Sequence, residues 1–515
     1  MTIIEEECDY VKKKIFMTGA SGGMGQQSLS QMIQYLDLYD LTLLSFDSEV
    51  DRKILAPYEE YPEITIIYGD LLDYELVEKC LIDADLVLHI AAFVSPAADY
   101  YPKKAMEVNY GSIRNILQAI SALKQNNKTK LVNIGTVAQT GDRMPPIHWG
   151  RVGDPIKTSI YDYYAVSKVA AERLVIESDL ANWVSLRQTG IMGLAMSKVA
   201  DAIMFHNCLD NAMEYVSDRD SGRLMANLCH YECAGKLPNK FWNHIYNIGG
   251  GESCRVNTYE MYKVLYGQLG FSNLDYVIDP KWYATRNFHG QYYLDSDKLE
   301  NYLHFRHDGM EYFYQCYLEN LGTKRLLAKM VCQLPRGQKM MGRIMKKSFL
   351  KEAKTEHGTV HFIEEKLEDQ INAYWGSKRS WDKIPNKLSE FQHFKGWEKQ
   401  VILDHGYDEE KDPNLLTLSD VQQAAKFRGG ECLSIAMEKG NWHQKILFKC
   451  AFGHTFHASC RLVLEGGHWC SVCERENWNY SERAKKDMFF AQVWDPLHGK
   501  DETTIYPKII SELDV

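Results

Sequence analysis

A doubly wound parallel α/β sheet is expected over residues 1–322, because three apolar runs each end on residues suited to hold a ligand. The first run, Ile15-Phe16-Met17, leads into Thr18-Gly19-Ala20-Ser21-Gly22-Gly23-Met24-Gly25 and then a helix-like stretch from Ser28 to Leu36. Glycines at 19, 22 and 25 let the chain turn tightly, bring backbone amides against a pyrophosphate and pack helix on strand. Surface turns are glycine-rich too; the place between strand and helix is what the nucleotide cradle requires. The second run, Leu41 to Phe46, closes on Asp47, about twenty residues past the last motif glycine, where a carboxylate can accept hydrogen bonds from an adenosine ribose. A carboxylate there repels a 2′-phosphate, so NAD is expected, with NADP the alternative because Arg52 and Lys53 follow closely. The plainer account of Asp47 is a solvated strand end. The third run, Leu131-Val132-Asn133-Ile134-Gly135, delivers Thr136 to a strand's carboxyl end, where open α/β sheets bind ligands. A β-branched residue simply finishing a strand is the alternative.

The segment Tyr161-Asp162-Tyr163-Tyr164-Ala165-Val166-Ser167-Lys168 adds chemistry to this frame. In a helix, positions four apart share a face, so Lys168 lies beside Tyr164. Free tyrosine titrates near 10, and a neighbouring cation favours the phenolate that a base at neutral pH needs. Tyr161 and Tyr163 lack that spacing. A lone Tyr-x-x-x-Lys is common in ordinary amphipathic helices; the glycine cradle, Asp47 and Thr136 together set this one apart.

These residues resemble the extended short-chain dehydrogenase/reductase family of nucleotide-sugar epimerases and dehydratases and hydroxysteroid dehydrogenases, over roughly residues 12 to 320. The resemblance implies a Rossmann-type sheet with a small substrate-binding part opened by Tyr246-Asn247-Ile248-Gly249-Gly250-Gly251. It implies Thr136, Tyr164 and Lys168 as the catalytic set. The cofactor would lie on Gly19, Ser21, Gly22, Gly23, Met24 and Gly25, with Asp70 and Leu71 at the adenine, Ala91 and Ala92 on the nicotinamide side, and Asn109 supporting the site through water. Sugar-nucleotide dehydratases of this family carry acidic residues just after the threonine; Val137 and Ala138 stand here, which argues against dehydration. Leu186-Arg187-Gln188-Thr189-Gly190-Ile191 is similar to the Arg-Pro-Thr-Gly-Ile segment of 3-beta-hydroxysteroid dehydrogenases, with Gln188 in place of proline. Alcohol–ketone redox on an apolar, sterol-like small molecule is therefore the leading expectation, a nucleotide-sugar epimerase the second, and a cofactor-sensing non-enzyme the third.

At 515 residues, 45% apolar and 25% charged, the chain is of globular composition and longer than one domain. Its N-terminus, Met1 to Glu7, is acidic, and no run of about eighteen apolar residues occurs. Thirteen cysteines, mostly scattered singly, suit a reducing compartment, so a cytoplasmic location is expected. A net charge of −10 argues against general nucleic-acid affinity. A homodimer is a candidate state.

Beyond the first domain, residues 323–425 are expected to form a helical connector. Its opening, from Thr323 to Lys354, carries ten basic residues against Glu352, interleaved with apolar ones, and Pro335-Gly337 should split it into two helices. Such segments lie on anionic membranes, or pack an apolar stripe on their own domain with lysines in solvent. The tryptophans 375, 381 and 397 carry no chemical motif. Ser419 to Phe427 reads as a helix capped by Ser419. Residues 426–480 resemble a small zinc-ribbon-like module: Cys450-x3-His454, fifteen residues, then Cys470-x2-Cys473 is ligand spacing for a tetrahedral, structural zinc. A redox Cys-x-x-Cys is the alternative, and His457, Cys460 or His468 could replace one ligand. Residues 481–515 are set apart as a tail.

Overall fold

The computed structural model describes residues 12–198, 201–475, 478–499 and 501–507; the acidic N-terminus and the last residues of the chain lie outside them. Seven strands build the central sheet: β1 (Lys13–Thr18), β2 (Tyr39–Ser45), β3 (Ile64–Tyr68), β4 (Leu86–His89), β5 (Lys130–Thr136), β6 (Trp183–Gln188) and β7 (His244–Ile248). Their order is β7-β6-β5-β4-β1-β2-β3, with every pair parallel. This is the Rossmann-type doubly wound sheet. The order reverses between β1 and β4, which opens a crevice at the strands' carboxyl ends.

Helices cover both faces, as an all-parallel sheet requires. On one side α1 (Gly23–Met32) packs against α4 (Asp218–Cys233), so closely at Gly222 that a Cβ would lie 2.5 Å from the Gln27 carbonyl. Leu29, Met32, Leu224 and Met225 are fully buried between them and the sheet. On the other side lie α2 (Pro102–Ala122) and α3 (Tyr163–Ile176), whose inward residues share one core with Ile446, Phe448, Leu462, Val463 and Trp469 of the C-terminal module. That module is therefore built onto the sheet's second layer.

The connector begins with two helices, α5 (Lys324–Gln333) and α6 (Gly337–Ala353), separated around Pro335. Its tryptophans act as wedges. Trp375 donates to the Tyr283 carbonyl at 2.9 Å, Trp381 to that of Lys281 at 3.0 Å, and the Trp397 carbonyl accepts from Trp149 at 2.9 Å. Helix α7 (Leu418–Phe427) starts earlier than the Ser419 cap expected: Thr417 is the cap, and its hydroxyl and Asp420 form a capping box. A three-stranded antiparallel sheet follows, β8 (Glu431–Cys432), β9 (Lys445–Lys449) and β10 (Thr455–Ser459). Past it, α8 (Tyr480–Lys486) and α9 (Met488–Trp494) bury Phe489, Phe490 and Val493 against the domain, and the Tyr480 hydroxyl donates to the Thr158 carbonyl at 2.8 Å. Much of the segment set apart as a tail is core. No helix among the described residues is long and apolar enough to cross a membrane.

Candidate active site and metal centre

A cavity of about 820 Å³ runs along the carboxyl ends of the strands, from the glycine turn to α3. Gly19 holds φ +76°, and a Cβ there would lie 2.6 Å from the Ala91 nitrogen; at Gly25 it would lie 2.0 Å from the Gly19 carbonyl oxygen. Only glycine fits either place. Gly22 caps α1 with no side chain, so the first-turn N–H groups face the cleft, ready for an anion.

Gly19, Ser21, Gly22, Gly23, Met24, Gly25, Asp70, Leu71, Ala91, Ala92, Tyr164 and Lys168 all line this cavity. Asp47 does not. Strand β2 ends at Ser45, so Ser45 and Phe46 take the cleft edge, while the exposed Asp47 carboxylate accepts from Arg52 Nε at 2.7 Å. The Arg52 guanidinium lies 4.0 Å from the centre of the Tyr68 ring. Asn109 sits behind the wall rather than in it. Its side chain accepts from the Phe93 nitrogen at 2.7 Å and donates to Ser167 Oγ at 2.9 Å, tying the loop after β4 to α3. Gln188, Lys104 and Asp218 also line the cavity. Of these, only Gln188 carried a signal in the sequence, as the residue replacing a proline.

Helix α3 starts at its cap Asp162, whose carboxylate accepts from the Ala165 nitrogen at 2.8 Å. That start presents Tyr164 and Lys168 on one face. Thr136 ends β5, where its hydroxyl accepts from the Ala138 nitrogen at 3.2 Å and its nitrogen donates to Gln139 at 2.8 Å. Burial raises the Tyr164 phenol above its ordinary value, and the opposing pull comes from a hydrogen bond with Thr136 rather than from Lys168. The Lys168 ammonium, expected to favour the phenolate, is itself buried, which lowers its own pKa to about 8, with Glu172 pulling the other way. His89 at the end of β4 is buried with Nδ1 3.0 Å from Thr18 Oγ1, and burial followed by Lys168 pushes it down to about 3, leaving it neutral.

A second pocket, of about 370 Å³, lies beside the start of α3, between Asp99, Tyr161, Asp162 and His289 of the first domain and Glu356, His357 and Phe362 of the connector. The Asp99 carboxylate accepts from the Tyr164 nitrogen at 3.2 Å. Burial first, then the Asp162 charge, raises Asp99 to about 7. An unfolded Asp releases its proton near pH 4, whereas the folded one keeps it until about 7, so folding loses stability as pH rises between those values. Asp99→Asn is expected to stabilise the fold by about 1–3 kcal/mol at pH 8 and to change little at pH 4, read by urea denaturation at both pH values.

The candidate metal ligands come from two turns. Cys450 and His454 flank the β9–β10 hairpin turn, where Gly453 holds φ +87°, and Cys470 and Cys473 bracket the start of the short helix Ser471–Arg475. Their four ligand atoms all lie within 4.8 Å of one another, with Cys450 Sγ 3.7 Å from Cys473 Sγ and 3.4 Å from His454 Nδ1. Bond lengths of about 2.3 Å to sulfur and about 2.0 Å to nitrogen give a tetrahedron edges of this size. Of the other candidates His457 is exposed on β10, and two are engaged elsewhere. Cys460 meets Met437, and His468 is buried between Glu172 and Glu474.

His468 links module to active site. Its Nε2 lies 3.0 Å from Glu172 Oε1, one helical turn past Lys168, and Arg187 Nη2 donates to the same carboxylate at 2.6 Å and to the Gly466 carbonyl at 2.7 Å. Arg173 completes the join, donating to Glu474 at 3.1 Å and to the Trp469 carbonyl at 3.0 Å.

Residues 16–215 match the model of the 3-beta hydroxysteroid dehydrogenase/isomerase family. The match spans less than half of the chain and takes in the glycine turn, Thr136 and the Tyr164–Lys168 pair. UDP-glucose 4-epimerases of Rickettsia massiliae and Rickettsia canadensis are 25% and 27% identical over 131 residues, which is 25% of this chain and 37% of each relative. The match thus spans little more than a third of the length of these curated relatives. Among solved structures, a dTDP-glucose 4,6-dehydratase from Bacillus anthracis in complex with NAD is 17% identical with a TM-score of 0.47, over 60% of this chain and 97% of that one. A UDP-glucose 4-epimerase from Bifidobacterium longum in complex with NAD+ and UDP is 16% identical with a TM-score of 0.45, over 61% of this chain and 98% of that one.

Proposed function

We propose that the chain is an NAD-dependent oxidoreductase acting at a secondary alcohol or ketone carbon. The observation that carries this reading is Tyr164 and Lys168 together on the wall of the cavity that the glycine turn also lines. NAD, when bound, supplies the hydride acceptor or donor. Tyr164 exchanges a proton with the substrate oxygen, Thr136 orients that oxygen, and Lys168 holds the ribose side and adds positive charge once both sites are filled. Arg52 is held by Asp47 and by the Tyr68 ring rather than standing free for a 2′-phosphate, which favours NAD over NADP.

A nucleotide-sugar epimerase is the second reading, favoured by the UDP-glucose 4-epimerase relatives. It uses the same three residues and returns the hydride to the substrate. The two readings separate on one measurement: turnover of added NAD(H) or NADP(H) with secondary alcohols, sterols and UDP-sugars, followed at the nicotinamide absorbance. Net cofactor conversion is expected of the dehydrogenase; sugar isomerisation with no net conversion, by protein that purifies with cofactor bound, identifies the epimerase. Absence of both reactions and of cofactor binding overturns the enzyme reading.

The Cys450, His454, Cys470 and Cys473 cluster would hold a structural zinc ion. All four positions of a tetrahedron are then protein ligands, leaving no place for a reacting water.

A further inference from the structure

The helices α5 and α6 need one apolar stripe to dock on the first domain, and they carry two. Their inner residues, Cys332, Met341, Met345, Phe349 and Leu350, join the core around Tyr262 and Trp282. The docking is tight: a Cβ on Gly342 would lie 2.3 Å from the Tyr276 carbonyl oxygen, and Ser272 Oγ donates to Gln338 at 3.1 Å. The outer faces are therefore held in place. On them stand Leu326, Leu327, Met330, Leu334, Met340 and Ile344, each between 53% and 64% exposed. Positions 326, 327 and 330 follow one helical face on α5, Leu334 stands just past its end, and 340 and 344 follow one face on α6. Exposed large side chains elsewhere are scattered; these six belong to one helical pair.

Charge surrounds them. Lys324, Arg325, Lys329, Arg336, Arg343 and Lys347 are all exposed, and none is joined to a carboxylate among the described residues. The lone acid of the pair, Glu352, lies at the far end of α6. An apolar centre with a rim of one sign, in a protein of net charge −10, matches a surface that is itself apolar within and anionic at its rim. Nucleic acid matches the charge but not the apolar centre.

We propose that the outer face of α5 and α6 docks on an anionic membrane surface, with Leu326, Leu327, Met330, Leu334, Met340 and Ile344 entering the headgroup–acyl boundary and the basic residues meeting lipid phosphates and carboxylates. The surface does not depend on which substrate fills the cavity.

The test is co-sedimentation of the full chain with vesicles of phosphatidylcholine, with and without phosphatidylserine. Binding is expected only to the anionic vesicles, and to weaken as salt rises. Each lost basic residue is worth about fivefold, so Lys324→Gln, Lys329→Gln and Arg336→Gln together should weaken binding about a hundredfold. A second variant, Leu327→Gln with Met330→Gln, should also lose binding. Both keep the inner stripe, so melting temperature and cofactor binding should match the parent chain. Failure of the parent chain to bind anionic vesicles overturns the proposal, as does binding that both variants retain. Light scattering showing a stable dimer that Leu327→Gln with Met330→Gln converts to monomer assigns the face to a second copy instead, and also overturns it.

Discussion

Tyr164→Phe is expected to lower turnover by about 10²–10⁴-fold while cofactor affinity stays near that of the parent, because the phenol's role is proton exchange and not cofactor binding. Lys168→Met should lose both. Its ammonium is buried at the same end of the cavity, where it would meet the cofactor, and it is the one cation on the Tyr164 face of α3. The two variants also differ in stability. Folding lowers the Lys168 pKa to about 8 from an ordinary value near 10.5, so the folded protein binds this proton less tightly than the unfolded chain does. That penalty is present in full below about pH 8 and fades as pH rises towards 10.5. Lys168→Met is therefore expected to raise stability by about 1–3 kcal/mol at pH 7, even as it destroys activity. A Lys168→Met protein that is both inactive and less stable would show that the lysine serves the fold and not the site. Thr136→Ala sits between: it removes the Tyr164 partner and also the cap of the Val137–Thr140 turn, costing about 1 kcal/mol by urea denaturation.

Loss of the metal is expected to reach the active site as well as the module. Three thiols and an imidazole within 4.8 Å of one another are a donor set for structural zinc, which would contribute about 10 kcal/mol or more to folding of a small module. Because Ile446, Phe448, Leu462 and Trp469 share a core with α2 and α3, unfolding of the module exposes the second layer of the sheet. Chelation, or Cys473→Ser, should lower the melting temperature in one broad transition and release about one zinc per chain from the parent protein. His468→Leu tests the join with the metal still bound. It leaves Glu172 with only Arg187 and the Ser185 hydroxyl, and breaking one partner of a buried charged group costs about 3–5 kcal/mol. Parent-like stability in both variants would mean the module is an independent appendage.

The sheet was legible because its strands are apolar runs and its turn is glycine-rich, patterns set by burial and backbone sterics. Tyr164, Lys168 and Thr136 were legible for the same reason: each sits at a fixed place on a regular element. Asp47 was less legible, because its place depends on where β2 ends, and two residues of overrun set its carboxylate against Arg52. The Glu172–His468–Glu474 chain was not legible at all. Its members lie 296 and 6 residues apart in sequence, and no local pattern marks a buried ion network between distant segments. The role of the tryptophans was hidden likewise, since a wedge is defined by what it fits.

The Glu172–His468 contact also bears on how the chain is made. Strands β1 to β7 are synthesised before residue 249, yet the group that completes the buried surroundings of α3 is more than two hundred residues farther on. A nascent first domain must hold Glu172 and the second-layer core open to solvent until the module emerges and takes its metal. Contacts of such sequence separation form late and slowly. With zinc bound as proposed, metal supply would govern more than the finished module: it would set how long an almost complete Rossmann sheet waits in the cell with one face uncovered.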